Sequence, residues 1–296
     1  MFEHAESLPR NSRKPRIIVS RFGKVGEEEV RHAVGVMREC YDRLAPHDVI
    51  LVDLYAFDRS SSFEAFLARE SSEVGVATAS FDGQFFAVHD AWRGTPRIVL
   101  CLERMRGLPE PVRDGGIRHE VGHSALHESL LYYLLSLPQA FVDLMERHIL
   151  PPGYAENLLY LVSIAVKDYE VARLLHRKGY FKDQAAYAKH LLRVCETDTL
   201  SWQVAKGEPL AEILVLVSCL KSICCAIPFM VDNRWREEMR RSLEEGLAYL
   251  PEDSSTALLN LATKDFPALG PDTLENIDRM ALIIKTELIE PILQRT

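Results

Sequence analysis

The feature that most limits the fold is a change of hydrophobic period near Pro111. Before it, short β-branched runs alternate with helical repeats. Residues 16–22 (RIIVSRF) and 47–55 (HDVILVDLY) read as strands, the second apolar enough for burial in a sheet. Between them Val30, Val34, Met37 and Tyr41 recur at steps of four, three and four, which predicts an amphipathic helix over 27–44, ended by Pro46. Ser60, Ser61 and Ser62 are placed to cap a helix carrying Phe63, Phe66 and Leu67. An Asp-Gly turn opens residues 81–92, read as a strand or hairpin, and 97–104 reads as a strand. Beyond Pro111 apolar residues keep helical spacing over 130–149, 154–175, 184–195, 210–230, 235–250 and 274–293, with breaks at Pro151-Pro152-Gly153 and after Pro251. The expectation is an α+β fold: a mixed sheet with a few helices in front, an all-helical half behind.

Composition narrows the function. Lys and Arg number 35 against 43 Asp and Glu, a net charge of −8, which argues against a generic nucleic-acid binder. The basic run PRNSRKPR lies in a segment, 1–15, read as a solvated N-terminal arm. None of the six cysteines forms a C-x-x-C pair and most sit in apolar runs, so they read as buried reduced thiols of a cytoplasmic protein. The start, MFEHAESLPR, has acids where a signal peptide needs an apolar core. The longest apolar stretch, 210–231, is interrupted by Glu212, Lys221 and Pro228, and reads as a buried core helix, not a membrane span.

One motif carries chemistry. His119-Glu120-Val121-Gly122-His123 is an H-E-x-x-H, following Gly115-Gly116, which is read as the helix start. Residues four apart share a helix face, so two imidazoles can bind one Zn²⁺. The Glu beside the first His is placed to take a proton from a water activated by the metal. The small Gly122 permits close packing beside the ion.

With its helix after a mixed sheet and a helical half behind, this HEVGH segment resembles the zincin metallopeptidases. The resemblance covers about residues 16–180 and implies a peptidase in which the edge strand before the active helix, 81–92 or 97–104, binds extended substrate. It sets domain expectations of 16–180 for the zincin-like unit and 181–296 for a helical domain.

The third ligand stays open between two carboxylates. The metzincin pattern is out, because Leu126 and Ser129 stand where its Gly and His belong. His127 lies about 12 Å of helical rise beyond His119 and would need a helix break, which SALHESLLYY does not offer, so it reads as a supporting or core residue. The gluzincin branch implies a carboxylate on a later helix. Asp168 is preferred: its helical neighbours Leu161, Ile164, Ala165, Val171, Ala172 and Leu175 are apolar, and a carboxylate on such a face needs a partner or a metal. Glu170, with Lys167, Arg173 and Arg177 around it, is the alternative and otherwise an exposed ion-pair residue. The segment also resembles the E-Y-x-A-D-R stretch of CAAX prenyl proteases, with the ligand Glu falling on Asp168. Its supporting Asp falls on Ala172, a departure. Tyr154, Tyr160, Tyr169, His176, Tyr180 and His190 are candidates for stabilising an oxyanion.

The expected function is a soluble zinc-dependent metallopeptidase acting on a peptide or protein substrate, with His119, His123 and Asp168 or Glu170 on the metal and Glu120 as general base. The Ala172 departure motivates an alternative: a metal-binding scaffold of little or no turnover whose helical half binds a protein partner.

Overall fold

The computed structural model describes residues 14–74 and 85–295, and the basic arm expected over 1–15 falls almost wholly outside them. The chain is an α+β protein built on one four-stranded mixed sheet in the order β1-β2-β4-β3. Strands β1 (Arg16–Phe22), β2 (Leu51–Phe57) and β4 (Arg97–Cys101) run parallel, and β3 (Ala87–Asp90) is an antiparallel edge. Helix α1 (Glu27–Leu44) falls on the predicted residues, its buried face carrying Val30, Ala33, Met37, Cys40 and Tyr41. Strand β2 begins four residues later than its apolar run. Arg16 of β1 pairs with Leu51, and Pro15 before it has no N–H to continue the ladder. Of the segment 81–92, the residues up to 84 lie outside the described ones, and the remainder supplies β3.

Period two decides which core each strand residue joins. Val52, Leu54, Ala56, Ile98 and Leu100 face the main core with α1. Phe57, Val99 and Cys101 face a smaller aromatic cluster closed by Phe63, Phe66 and Leu67 of α2 (Ser60–Val74). β4 stops at Cys101, short of the predicted 104, because its last pairing partner, Phe57, ends β2; helix α3 (Leu102–Arg106) follows at once.

Helix α4 (Glu110–Leu126) carries the motif. It starts after Pro109 and not at Gly115-Gly116, which lie inside it. A Cβ on Gly115 would sit 2.5 Å from the Asp183 carbonyl oxygen, and one on Gly116 would sit 2.3 Å from the Phe86 ring. Those glycines exist for contact, not for helix initiation. The helix expected over 130–149 is broken: a single turn at Leu130–Tyr132, then α5 (Gln139–Arg147) after Pro138, which cannot continue a helix through its own nitrogen.

Helices α6 (Tyr154–Arg177), α7 (Lys182–Leu191), α8 (Glu196–Ala205) and α9 (Pro209–Met230) follow. α10 (Arg236–Leu247), α11 (Glu252–Asn260), α12 (Thr273–Ile284) and α13 (Glu290–Leu293) complete the chain. Neither α8 nor α11 was among the expected helices, and wider π turns at Leu261–Asp265 and Lys285–Ile289 interrupt the last stretch. α9 is long and apolar enough to cross a membrane by length and composition, yet here it packs along α6 with Ile213, Leu216, Leu220 and Ile223 buried. The main core runs from Val30 to Ile292, passing residue 180 without a break.

Candidate metal centre

Helix geometry brings His119 and His123 to one face of α4, and tertiary packing brings α6 against that face. Gly122 permits the approach: a Cβ there would lie 2.6 Å from Val171 Cγ1 of α6. Three side-chain atoms then converge. His119 Nε2 lies 3.1 Å from His123 Nε2, and Asp168 Oδ1 lies 3.0 Å from His123 Nε2 and 3.4 Å from His119 Nε2. Tetrahedral zinc with bonds of about 2.0–2.1 Å requires ligand atoms about 3.3–3.4 Å apart. The triangle formed by these three atoms is close to one face of that tetrahedron, so the residues present fit the ion.

Proton bookkeeping points the same way. His127 is fully buried; burial, with the neighbouring His123 adding to it, holds its ring well below the ordinary imidazole value, so it is neutral. Its Nε2 lies 3.1 Å from Glu170 Oε2 and its Nδ1 lies 3.3 Å from His123 Nδ1. Glu170 also accepts from Thr273 Oγ1 at 2.8 Å and Asn276 Nδ2 at 2.6 Å. One arrangement satisfies every member. His127 donates from Nε2 to Glu170 and accepts at Nδ1 from His123, which leaves the lone pair of His123 Nε2 directed at His119 and Asp168.

Glu170 therefore faces away from the His119–His123 pair and is buried, not an exposed ion-pair residue. Asp168 is the carboxylate that the fold brings to the histidines. Burial pushes its carboxyl up, but the His119 and His123 rings facing it outweigh that and hold it well below the usual range. Burial pushes His123 down to about 4. For His119 burial acts downward too, yet the Asp168 hydrogen bond and charge leave it raised. Burial pushes Glu120 up to about 7, against the opposing pull of His119 and of a backbone N–H from His89 of β3.

His119, Glu120, His123 and Asp168 all line a cavity of about 480 Å³ between β3, α4, α6, α7 and α9. A second cavity of about 410 Å³ adjoins it, sharing Phe85, Tyr160 and Lys221 as wall. Of the oxyanion candidates only Tyr160 lines the first cavity. Tyr154 donates to the Leu210 carbonyl, Tyr180 to Glu39, Tyr169 packs on Phe266, His176 packs between Phe181 and Phe229, and His190 packs near Phe86.

His127 also differs from the sequence reading in one respect. The helix does break there: it ends at Leu126, and His127 is its C-cap with φ −129° and ψ 41°. That turn swings the ring back beneath His123.

Sequence reasoning missed four residues around the cavity. His89 stacks parallel to His123 at 6.0 Å between ring centres, and its Nδ1 lies 3.0 Å from the Tyr133 hydroxyl. The Tyr187 ring lies 5.3 Å from that of His119. Cys225 of α9 has its sulfur within 4.8 Å of a ring nitrogen of His119 and a carboxylate oxygen of Asp168. A histidine on the strand before the motif was a usable signal for His89. Cys225, inside an apolar run, offered none.

Compared with known protein families, curated proteins and solved structures, the chain matches none of them.

Proposed function

We propose that this protein is a zinc-dependent hydrolase of peptide bonds with a zincin-like core. The observation that carries the reading is the convergence of His119 Nε2, His123 Nε2 and Asp168 Oδ1 at 3.0–3.4 Å, with Glu120 in the same cavity. His119, His123 and Asp168 would hold the ion, which supplies a Lewis acid at neutral pH. Glu120 accepts the proton of the attacking water and returns it to the leaving nitrogen. Among the described residues β3 is an edge strand packed beside α4, so an extended chain would have backbone groups to pair with next to the carboxylate. The antiparallel edge, the motif helix and the ligand-bearing later helix occur in the order that the resemblance implies.

The nearness of Cys225 favours a second reading, a metal-holding scaffold without turnover, since structural zinc sites are closed by four protein ligands.

Elemental mass spectrometry of the untagged protein tests the metal. One equivalent of zinc is expected, lost in His123→Ala and strongly reduced in Asp168→Ala. A wild-type protein that holds no metal after zinc is supplied and excess removed overturns the proposal.

A further inference from the structure

The helical half contributes one potential ligand to the centre. Cys225 stands on α9, 105 positions beyond Glu120 in the chain, and its sulfur reaches within 4.8 Å of His119 and Asp168 ligand atoms. The thiol is 3% exposed and its hydrogen-bond partner is the carbonyl of Lys221 one turn back, at a long 3.7 Å. His119, 4% exposed, keeps a ring nitrogen, Nδ1, that is buried with no partner. Imidazole, carboxylate and thiol gathered in one buried place is a donor set suited to zinc.

We propose that Cys225 is a fourth protein ligand of the centre, so that the resting site is closed by His119, His123, Asp168 and the Cys225 thiolate. The proposal rests on the metal-centre reading above and adds a ligand from the helical half. A tetrahedral zinc site with a Zn–S bond of about 2.3 Å needs sulfur about 3.6 Å from the nitrogen and oxygen ligands. From the 4.8 Å limit the sulfur would close by about 1.2 Å toward the His119 and Asp168 atoms, and it would move further toward His123, which lies outside that group. On binding, Cys225 would exchange its S–H bond for a metal–sulfur bond, with the proton released to solvent. Were it to withdraw, that bond would break, the sulfur would take a proton back from solvent, and a ligand position beside His119 and Asp168 would be left open. No electron is transferred in either direction.

The test is cobalt substitution of the full chain. Co²⁺-loaded wild type is expected to show a near-ultraviolet thiolate-to-metal charge-transfer band together with visible bands of tetrahedral intensity. Cys225→Ser is expected to bind one equivalent of Co²⁺ and to lose the near-ultraviolet band. Cys224→Ser, the adjacent cysteine, should keep it. Visible bands without the charge-transfer band in wild type overturn the Cys225 proposal and leave the three-residue centre intact. Persistence of the band in Cys225→Ser overturns it also. Failure of wild type to bind Co²⁺ or Zn²⁺ at all removes the metal-centre reading itself. If Cys225→Ser does not fold, Cys225→Ala, which keeps the apolar packing of α9, gives the same readout.

Discussion

His127 Nε2 lies 3.1 Å from Glu170 Oε2, and the two side chains are 0% and 6% exposed. The pair links α6 to the break at the end of the motif helix. It also sets the proton on His123 through the 3.3 Å contact between the two Nδ1 atoms. Three donors, from His127, Thr273 and Asn276, converge on this one carboxylate. Helix α12 (Thr273–Ile284) thus takes part in orienting a ligand on another helix.

Glu170→Gln inserts an amide NH₂ where only acceptors are satisfied. One buried donor then faces another, which costs about 1–3 kcal/mol. With its anchor weakened, the His123 ring loses orientation, and zinc affinity is expected to fall by roughly 10–100-fold. Urea unfolding and chelator competition measure the two effects separately. Unchanged zinc affinity would mean that the His127–Glu170 pair serves stability alone.

Glu120→Gln keeps shape and removes the base. Zinc stoichiometry should match wild type, while peptide hydrolysis falls by about 10²–10⁴. A variant that cleaves as fast as wild type removes Glu120 from the mechanism.

Gly122→Ala sets two effects against each other. Alanine favours a helix over glycine by about 1 kcal/mol. The new Cβ, however, meets Val171 Cγ1 at 2.6 Å, and Val171 is fully buried and β-branched, with no room to yield. Overpacking of about 1–3 kcal/mol wins, so the unfolding midpoint should drop. Zinc affinity should drop with it, because α4 and α6 are pushed apart. A higher midpoint would show that the two helices separate freely at this point.

Acid sensitivity is expected from an ion cluster away from the centre. Arg93 Nε and Nη2 each lie 3.0 Å from Glu70, and Arg97 Nη1 lies 2.9 Å from it. Burial alone raises the Glu70 carboxyl, but the two guanidiniums outweigh it and hold it below the ordinary value. A depressed carboxyl stabilises the fold fully above its unfolded pKa of about 4.3 and loses that contribution as pH falls below it. Asp90, raised mainly by burial, acts in the opposite direction, so Glu70→Gln isolates the term. This variant should be less stable than wild type at pH 7, with the difference shrinking between about pH 5 and pH 3 in denaturant titrations. A pH-independent difference would assign the effect to packing.

Local chemistry was legible because it repeats at short range. Strand β1 and helix α1 fall on the residues that their periodicity predicts, and α6 starts at Tyr154 as expected. The i, i+4 spacing of His119 and His123 places both rings on one helix face whatever the tertiary contacts. The choice between Asp168 and Glu170 was not local. Two residues apart on a helix, they point about 200° apart, so only one can face α4. Which one does depends on how α6 lies against α4, and Val171 packed on Gly122 settles that. The apolar neighbours of Asp168 did favour it, but the charged neighbours of Glu170 misled, since its real partners are His127 at the end of α4 and Thr273 and Asn276 more than a hundred residues on. Gly115 and Gly116 looked like a helix start and proved to be contact points, because a glycine chosen for closeness and one chosen for backbone freedom read alike in sequence. Cys225 was invisible for the same reason: its neighbours along α9 are apolar, and only the packing of α9 along α6 carries its sulfur to His119 and Asp168. Periodicity along the chain determines which faces are buried; the meeting of faces from distant segments is decided by shape complementarity in three dimensions.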